Sequence, residues 1–290
     1  MPLWMSYLPS SIHPYIHLGR HDRLAALWIL FFPCLWSFAL SGIETVPIKT
    51  LILFFFGALL MRGAGCIIDD MTDQRIDRGV VRTRARPLAK GVLNNKQATM
   101  FLSVHLILGL IILLQFNRLT ILMGVAFVPL IILYPFMKRW THWAQLFLGL
   151  TFNGGVLMAW AACRDHLSVS VFILYGAAVL WTLGYDTIYG CQDRADDRVL
   201  GLKSTAILFY PRLKLFLLLC FSGMVFLLVL VGFMGSFRGA YYLGLGGVFL
   251  TFLYQVFDLE VDSPRSCLNV FRQQKIIGLL VLLALVAGKF

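Results

Sequence analysis

Charge is scarce in this sequence. Only 13% of its 290 residues are Asp, Glu, Lys or Arg, against about a quarter in an ordinary soluble domain. No basic stretch belongs to a soluble domain, so the excess of 25 Lys and Arg over 14 Asp and Glu does not indicate nucleic-acid binding. The six cysteines (Cys34, Cys66, Cys163, Cys191, Cys220, Cys267) form no CxxC pair, which excludes a zinc or disulfide framework. Met1 to Leu18 has no Lys or Arg and resembles neither a cleavable signal peptide nor an Arg-rich transit peptide. A bacterial inner membrane is the expected home.

What the chain has instead is apolar length. Hydrophobic residues make up 59%, and runs of about eighteen recur, as membrane spans require. Nine segments are predicted, near 24–42, 50–68, 97–116, 119–137, 144–163, 167–185, 213–234, 239–257 and a short 276–289. The expected fold is an all-α integral membrane protein, about nine transmembrane helices in a bundle. With the N-terminus in the cytoplasm, nineteen of the 25 Lys and Arg fall in inside loops and five outside, with Arg62 within a span. That sorting fixes the orientation. The loops after the second and sixth spans then share the cytoplasmic face. They suggest one domain, 1–290, of two four-helix pseudo-repeats, about 1–143 and 144–275, with the last helix appended.

Eight of the fourteen acidic residues sit at those two rims: Asp69, Asp70, Asp73 and Asp77, then Asp186, Asp193, Asp196 and Asp197. Extending the second span as a helix places Arg62 and the first four acids within an arc of about 100°. On the sixth, Asp186, Asp193 and Asp197 cluster while Asp196 points roughly 80° away. Like charges stacked at i, i+4 near lipid need cations. Either the nearby Arg75, Arg78, Arg82, Arg84 and Arg86 pair with them, or the carboxylates hold divalent cations that in turn hold a polyanion. Hard oxygen ligands with an incomplete shell are what Mg²⁺ uses when phosphate supplies the rest, and guanidinium forks suit phosphate. A transporter would place such acids nearer mid-bilayer.

Asp69-Asp70-Met71-Thr72-Asp73 is a DDxxD, and Asp193 and Asp197 form a DxxxD. With "RTRARP" (Arg82, Thr83, Arg86, Pro87) and "YDTIYGCQDRADD", they make the chain resemble the UbiA superfamily of intramembrane aromatic prenyltransferases. "LYPFMKRWTHWAQLFLGLTFNGG" and "RHDRLAALWILFFPCLW" are similar to the branch that prenylates 4-hydroxybenzoate for ubiquinone. Asp69 stands where the family usually has Asn. The resemblance covers essentially the whole chain and implies Mg²⁺-dependent transfer of a polyprenyl group from polyprenyl diphosphate to an aromatic acceptor. It implies Mg²⁺ ligands in Asp69, Asp70, Asp73, Asp193 and Asp197, and Arg82, Arg86 and Lys203 on the leaving group. Asp186 is the candidate proton acceptor. Tyr185 and Tyr189 either face the allylic cation or belong to the interfacial aromatic belt. Arg139, with Lys138, is the candidate cation for the acceptor carboxylate, unless it is a plain interfacial anchor. Arg62 is expected to act on substrate or to pair with Asp69. His13, His17 and His21 are spaced for a metal face, against which Pro14 argues. Beyond substrates and the lipid bilayer, no protein or nucleic-acid partner is implied.

Overall fold

A helix apolar on every side can lie only against lipid or other helices, because its backbone groups must be satisfied within itself. The computed structural model, which describes residues 3–43 and 45–289, is accordingly helical, with no strand among the described residues. Its order is α1 (His13–Leu18), α2 (Leu24–Leu40), α3 (Ile48–Thr72), α4 (Gln74–Asp77), α5 (Asn95–Leu113), α6 (Arg118–Trp140), α7 (Ala144–Phe152) and α8 (Gly154–Cys163). It continues through α9 (Val169–Gly190), α10 (Arg194–Val199), α11 (Thr205–Leu208), α12 (Leu213–Met234), α13 (Gly239–Asp258) and α14 (Pro264–Ala287). Among the described residues, eight spans are long and apolar enough to cross a membrane, α7 and α8 together making one, and α2 adds a shorter apolar helix.

Two expected boundaries shift. The last helix starts at Pro264 rather than 276, because Ser263 caps it through the Ser266 N–H and proline suits a first helical turn. Its first half carries Arg265, Arg272 and Lys275, which hide a helix from a hydropathy window. Neither acidic rim is a straight extension of its span. Helix α3 ends at Thr72 and a single turn, α4, follows Asp73; α9 ends at Gly190 and α10 follows Asp193. The i to i−4 bonds Asp77 N–H to Asp73 O (2.8 Å) and Asp197 N–H to Asp193 O (2.8 Å) still keep each acid pair stacked.

Helix α2 packs against α14, α8 and α3, and α9 against α12, α7 and α14. Polar groups inside the bundle find partners, as they must away from water. Trp36 Nε1–H donates to the Gly278 carbonyl (2.8 Å), and Trp181 Nε1–H to Gln274 (2.8 Å). Asn153, at the α7–α8 break, donates to the Gly149 carbonyl (2.8 Å) and to Thr182 (2.8 Å), whose hydroxyl lies 3.1 Å from that of Tyr185. The break therefore braces α9 where its functional segment begins.

At Gly278 a Cβ would lie 2.4 Å from the Phe32 ring. Gly278→Val is expected to cost about 1–3 kcal/mol by overpacking, seen as a lower thermal-denaturation midpoint in detergent.

Candidate active site

The two acidic rims meet. Asp70, Asp73 and Asp77 are 1%, 0% and 4% exposed, so their charges need close compensation. Arg86 is the hub: its Nη1 lies 2.8 Å from Asp77, 3.0 Å from Asp70 and 3.6 Å from Asp69. Lys138 contacts Asp73 and lies 3.6 Å from Asp69, and Arg139 donates to Asp73 at 3.0 Å. Across the mouth, Arg82 forks onto Asp193, with Nε at 2.7 Å, and donates to the Tyr189 hydroxyl at 3.0 Å. Its guanidinium also lies over the Tyr189 ring, 5.2 Å from the centroid.

Both readings of the arginines thus have a place. Arg82 and Arg86 pair with the acids, whereas Arg75, Arg78 and Arg84 stay exposed, Arg78 bonding only the Ala89 carbonyl (3.1 Å). The carboxylates of Asp186 and Asp197 accept no hydrogen bond or ion pair from any described residue. They line one small cavity of about 80 Å³ with Asp69, Tyr134, Lys138 and Lys203. Burial, reinforced by Asp193, pushes Asp197 up to about 6. Burial likewise pushes Asp77 up to about 6 against the pull of Arg86. Burial works against the Arg86 guanidinium, but Asp70, Asp69 and Asp77 hold it above its ordinary range.

The acids suit a hard divalent cation in chemistry, since one oxygen of Asp70 (Oδ2) is buried without a donor and two carboxylates are free of partners. No three His, Cys, Asp or Glu side chains among the described residues form a closed metal cage. Ligands spread across a mouth fit an ion whose shell is completed by substrate oxygens.

Below the rim lies a cavity of about 1170 Å³. Asp69, Asp186, Arg82, Arg86 and Tyr189 line its polar end, and Phe54, Leu113, Phe116, Val125 and Met158 its apolar end. Gly57, Met61, Gly65 and Asp69 follow one another along it at one-turn spacing on α3. A Cβ at Gly65 would meet no atom within 4 Å, so the missing side chain is open space below the acids. From Asp69 to Phe54 the helix runs about 22 Å at 1.5 Å per residue.

Other predicted site residues separate. Arg62, 7% exposed, lines the cavity but does not pair with Asp69 as one expectation had it; its Nη1 donates to the Arg20 carbonyl at 3.0 Å. Arg139 is occupied by Asp73 and the Thr72 carbonyl and lines neither cavity. Tyr185 lines the large cavity, and Lys203 Nζ donates to the Trp140 carbonyl at 3.2 Å. Asp196 accepts the Val81 backbone N–H (3.3 Å), away from the other acids. Pro14 occupies the first turn of a short helix, but His13, His17 and His21 do not converge: they bond Met5, Asp22 and His105 respectively. Missed from sequence was Arg20, which donates to Asp70 at 2.6 Å. Its opposed charges in "GRHDR", at the head of the first span, are the same signature that marks the other rims.

The chain belongs to the UbiA prenyltransferase family, whose pattern matches residues 30–276. It is 43% identical to the mitochondrial 4-hydroxybenzoate polyprenyltransferase of Aedes aegypti over 98% of its length, spanning 65% of that protein. With the human 4-hydroxybenzoate polyprenyltransferase it shares 41% identity over 97% of its length, spanning 76% of that protein. In fold it matches a UbiA homolog from Archaeoglobus fulgidus bound to GPP and Mg²⁺, with a TM-score of 0.74 at 18% identity, over 95% of this chain and 99% of that one.

Arg86→Met is expected to lower stability by about 1–3 kcal/mol, since it strips a cation from buried Asp70 and Asp77 and from half-buried Asp69. Mg²⁺ should raise the thermal midpoint more in this variant than in the parent.

Proposed function

We propose that the protein transfers a polyprenyl group from its diphosphate to the carbon ortho to the hydroxyl of 4-hydroxybenzoate, a step of ubiquinone biosynthesis. The observation that carries this is the identity of about two residues in five with 4-hydroxybenzoate polyprenyltransferases across nearly the whole chain. The acid-rimmed, apolar cavity supports it, since a diphosphate head suits the rim and an isoprenoid tail the space between helices.

Asp69, Asp70, Asp73, Asp193 and Asp197 would hold Mg²⁺. That ion supplies Lewis-acid stabilisation of charge on the diphosphate oxygens. Arg82, Arg86 and Lys203 neutralise the leaving group as its C–O bond breaks, an electrostatic term that acts most where charge develops. Tyr185 and Tyr189, which line the cavity, would flank the allylic cation. The ring carbon attacks, and Asp186, free of partners and lining both cavities, takes the proton that leaves it. For the acceptor carboxylate, Arg62 is better placed than Arg139, because it lines the cavity and donates to the protein only at the Arg20 carbonyl among the described residues.

We read the chain as one domain whose halves, 1–143 and 144–275, each contribute an acidic motif. It is a multi-pass membrane protein. The relatives named above are mitochondrial and lend no support to the bacterial inner membrane expected from sequence, which stands here as a proposal. In either membrane the acidic rim shares the side of the positive loops.

Purified protein in detergent should prenylate 4-hydroxybenzoate with Mg²⁺ and stop in excess EDTA; activity that persists without metal overturns the mechanism. Asp73→Ala or Asp193→Ala should lower kcat at least about hundredfold, while Asp196→Ala, which loses one loop contact, stays within a few fold. Arg62→Met should raise KM for 4-hydroxybenzoate about tenfold, a change of about 1.4 kcal/mol, and by more than it raises KM for the diphosphate, whose site it touches only through the Arg20 carbonyl (3.0 Å).

A further inference from the structure

His21 and His105 take no part in the chemistry above, yet they join the N-terminal segment directly to α5. Their Nε2 atoms lie 3.0 Å apart, with ring planes within 9° of parallel. His105 is 3% exposed, and its Nδ1 lies 2.9 Å from the Phe101 carbonyl oxygen. A carbonyl only accepts, so the His105 proton is on Nδ1 and its Nε2 is the acceptor. His21 therefore donates from Nε2, which leaves its Nδ1 a buried lone pair without a donor. Glycine backbones flank the pair. A Cβ at Gly63 would lie 2.8 Å from His105 Nε2, and one at Gly19 would lie 2.5 Å from His21 Nε2. Burial, then His105 and Arg62, hold His21 down to about 4 against the opposing pull of Asp22. Burial thus favours the neutral form of the His21 ring in this contact.

One residue away, Arg20 has φ of +56°, a left-handed conformation unusual for a long side chain. Its Nη1 donates to the His17 carbonyl at 2.5 Å, and its Nη2 to Asp70 Oδ1 at 2.6 Å. Arg86 also lands on Asp70 Oδ1, at 3.0 Å. Both cations therefore load one oxygen of Asp70 and leave Oδ2 without a donor. The turn that achieves this is tied down at His21, by the backbone bond to the Ile16 carbonyl (3.0 Å) and by the imidazole pair.

We propose that His21 and His105 are positioning residues of the diphosphate site: their hydrogen bond pins the left-handed turn that keeps Arg20 on one oxygen of Asp70 and the other oxygen free for a cation. This rests on the prenyl diphosphate reading of the rim.

The test is a thermodynamic cycle on the full chain in lipid nanodiscs, reading Mg²⁺-dependent binding of geranyl thiodiphosphate, a non-ionising analogue, by calorimetry. His105→Leu and Arg20→Met should each weaken binding about tenfold, as expected for a hydrogen bond acting on a charged group. The double variant should bind no more weakly than Arg20→Met alone, because both act through one guanidinium. His105→Gln, whose side-chain oxygen can still accept from His21, should stay within about twofold of the parent. Should His105→Leu fail to fold, His21→Ala on the half-exposed side of the pair enters the same cycle. Additive losses in the double variant, or parental binding by His105→Leu or His21→Ala, overturn the proposal. A parent that binds the analogue but does not prenylate 4-hydroxybenzoate overturns the functional reading and leaves the cycle interpretable.

Discussion

Carboxylates crowded at the edge of a low-dielectric slab repel one another, and the form of this rim follows from how that repulsion is offset. Charges separated by a few ångströms interact far more strongly here than in water, so the acids recruit cations from every segment that reaches them. Arg20 comes from the turn before α2, Arg82 and Arg86 from the loop after α4, and Lys138 and Arg139 from the end of α6. These contacts join segments that share no continuous helix. The site is assembled by charge compensation laid over a bundle held by packing.

That compensation is uneven, and the unevenness is chemically useful. Asp73 is fully enclosed by Lys138 and Arg139, whereas Asp186 and Asp197 face a cavity with no donor of their own. Asp70 is loaded on one oxygen and bare on the other. A buried pair is weak evidence for stability, because desolvation consumes most of the attraction. The ion pairs at this rim are better understood as holding positions: cations suited to phosphate stand among oxygens suited to a divalent ion. On the proposed function, binding a diphosphate would exchange partners within a cluster that is already desolvated.

Much of this was legible in the chain because the membrane simplifies the code. Apolar length marks spans, and any acid near a span stands out against lipid; hence both motifs and, among the described residues, the eight long spans with the shorter α2. Two things were not legible. The first is where helices break. A 3.6-residue period passes through Asp73 without a signal, since that break carries no Gly or Pro, and the one cue before Asp193, Gly190, lies inside the motif. The second is which cation meets which acid. Arg139 and Arg62 are both candidates for substrate contact in the sequence, but the end of α6 turns Arg139 onto Asp73, while the α3 helix carries Arg62 to the cavity wall. Arg20 escaped notice because its partner lies fifty residues away, and only the folded turn at Gly19 brings them together.

The proposed reaction passes through an allylic cation that water would quench, so the rim would have to exclude solvent as well as bind charge. The same ion pairs serve both ends. Arg82 on Asp193 and the Val81 N–H on Asp196 fasten the loop after α4 to the second acidic motif, and Ala85, Arg86 and Pro87 of that loop line the cavity mouth. The turn bearing Arg20 closes the adjoining side, with His17 and Asp22 also on the wall. Opening either cover would cost contacts to the acids, and the charged diphosphate is the ligand best able to replace them. In the proposed reaction, head-group binding and shielding of the tail would therefore draw on one set of carboxylates, so that substrate charge and a dry cavity would be needed together.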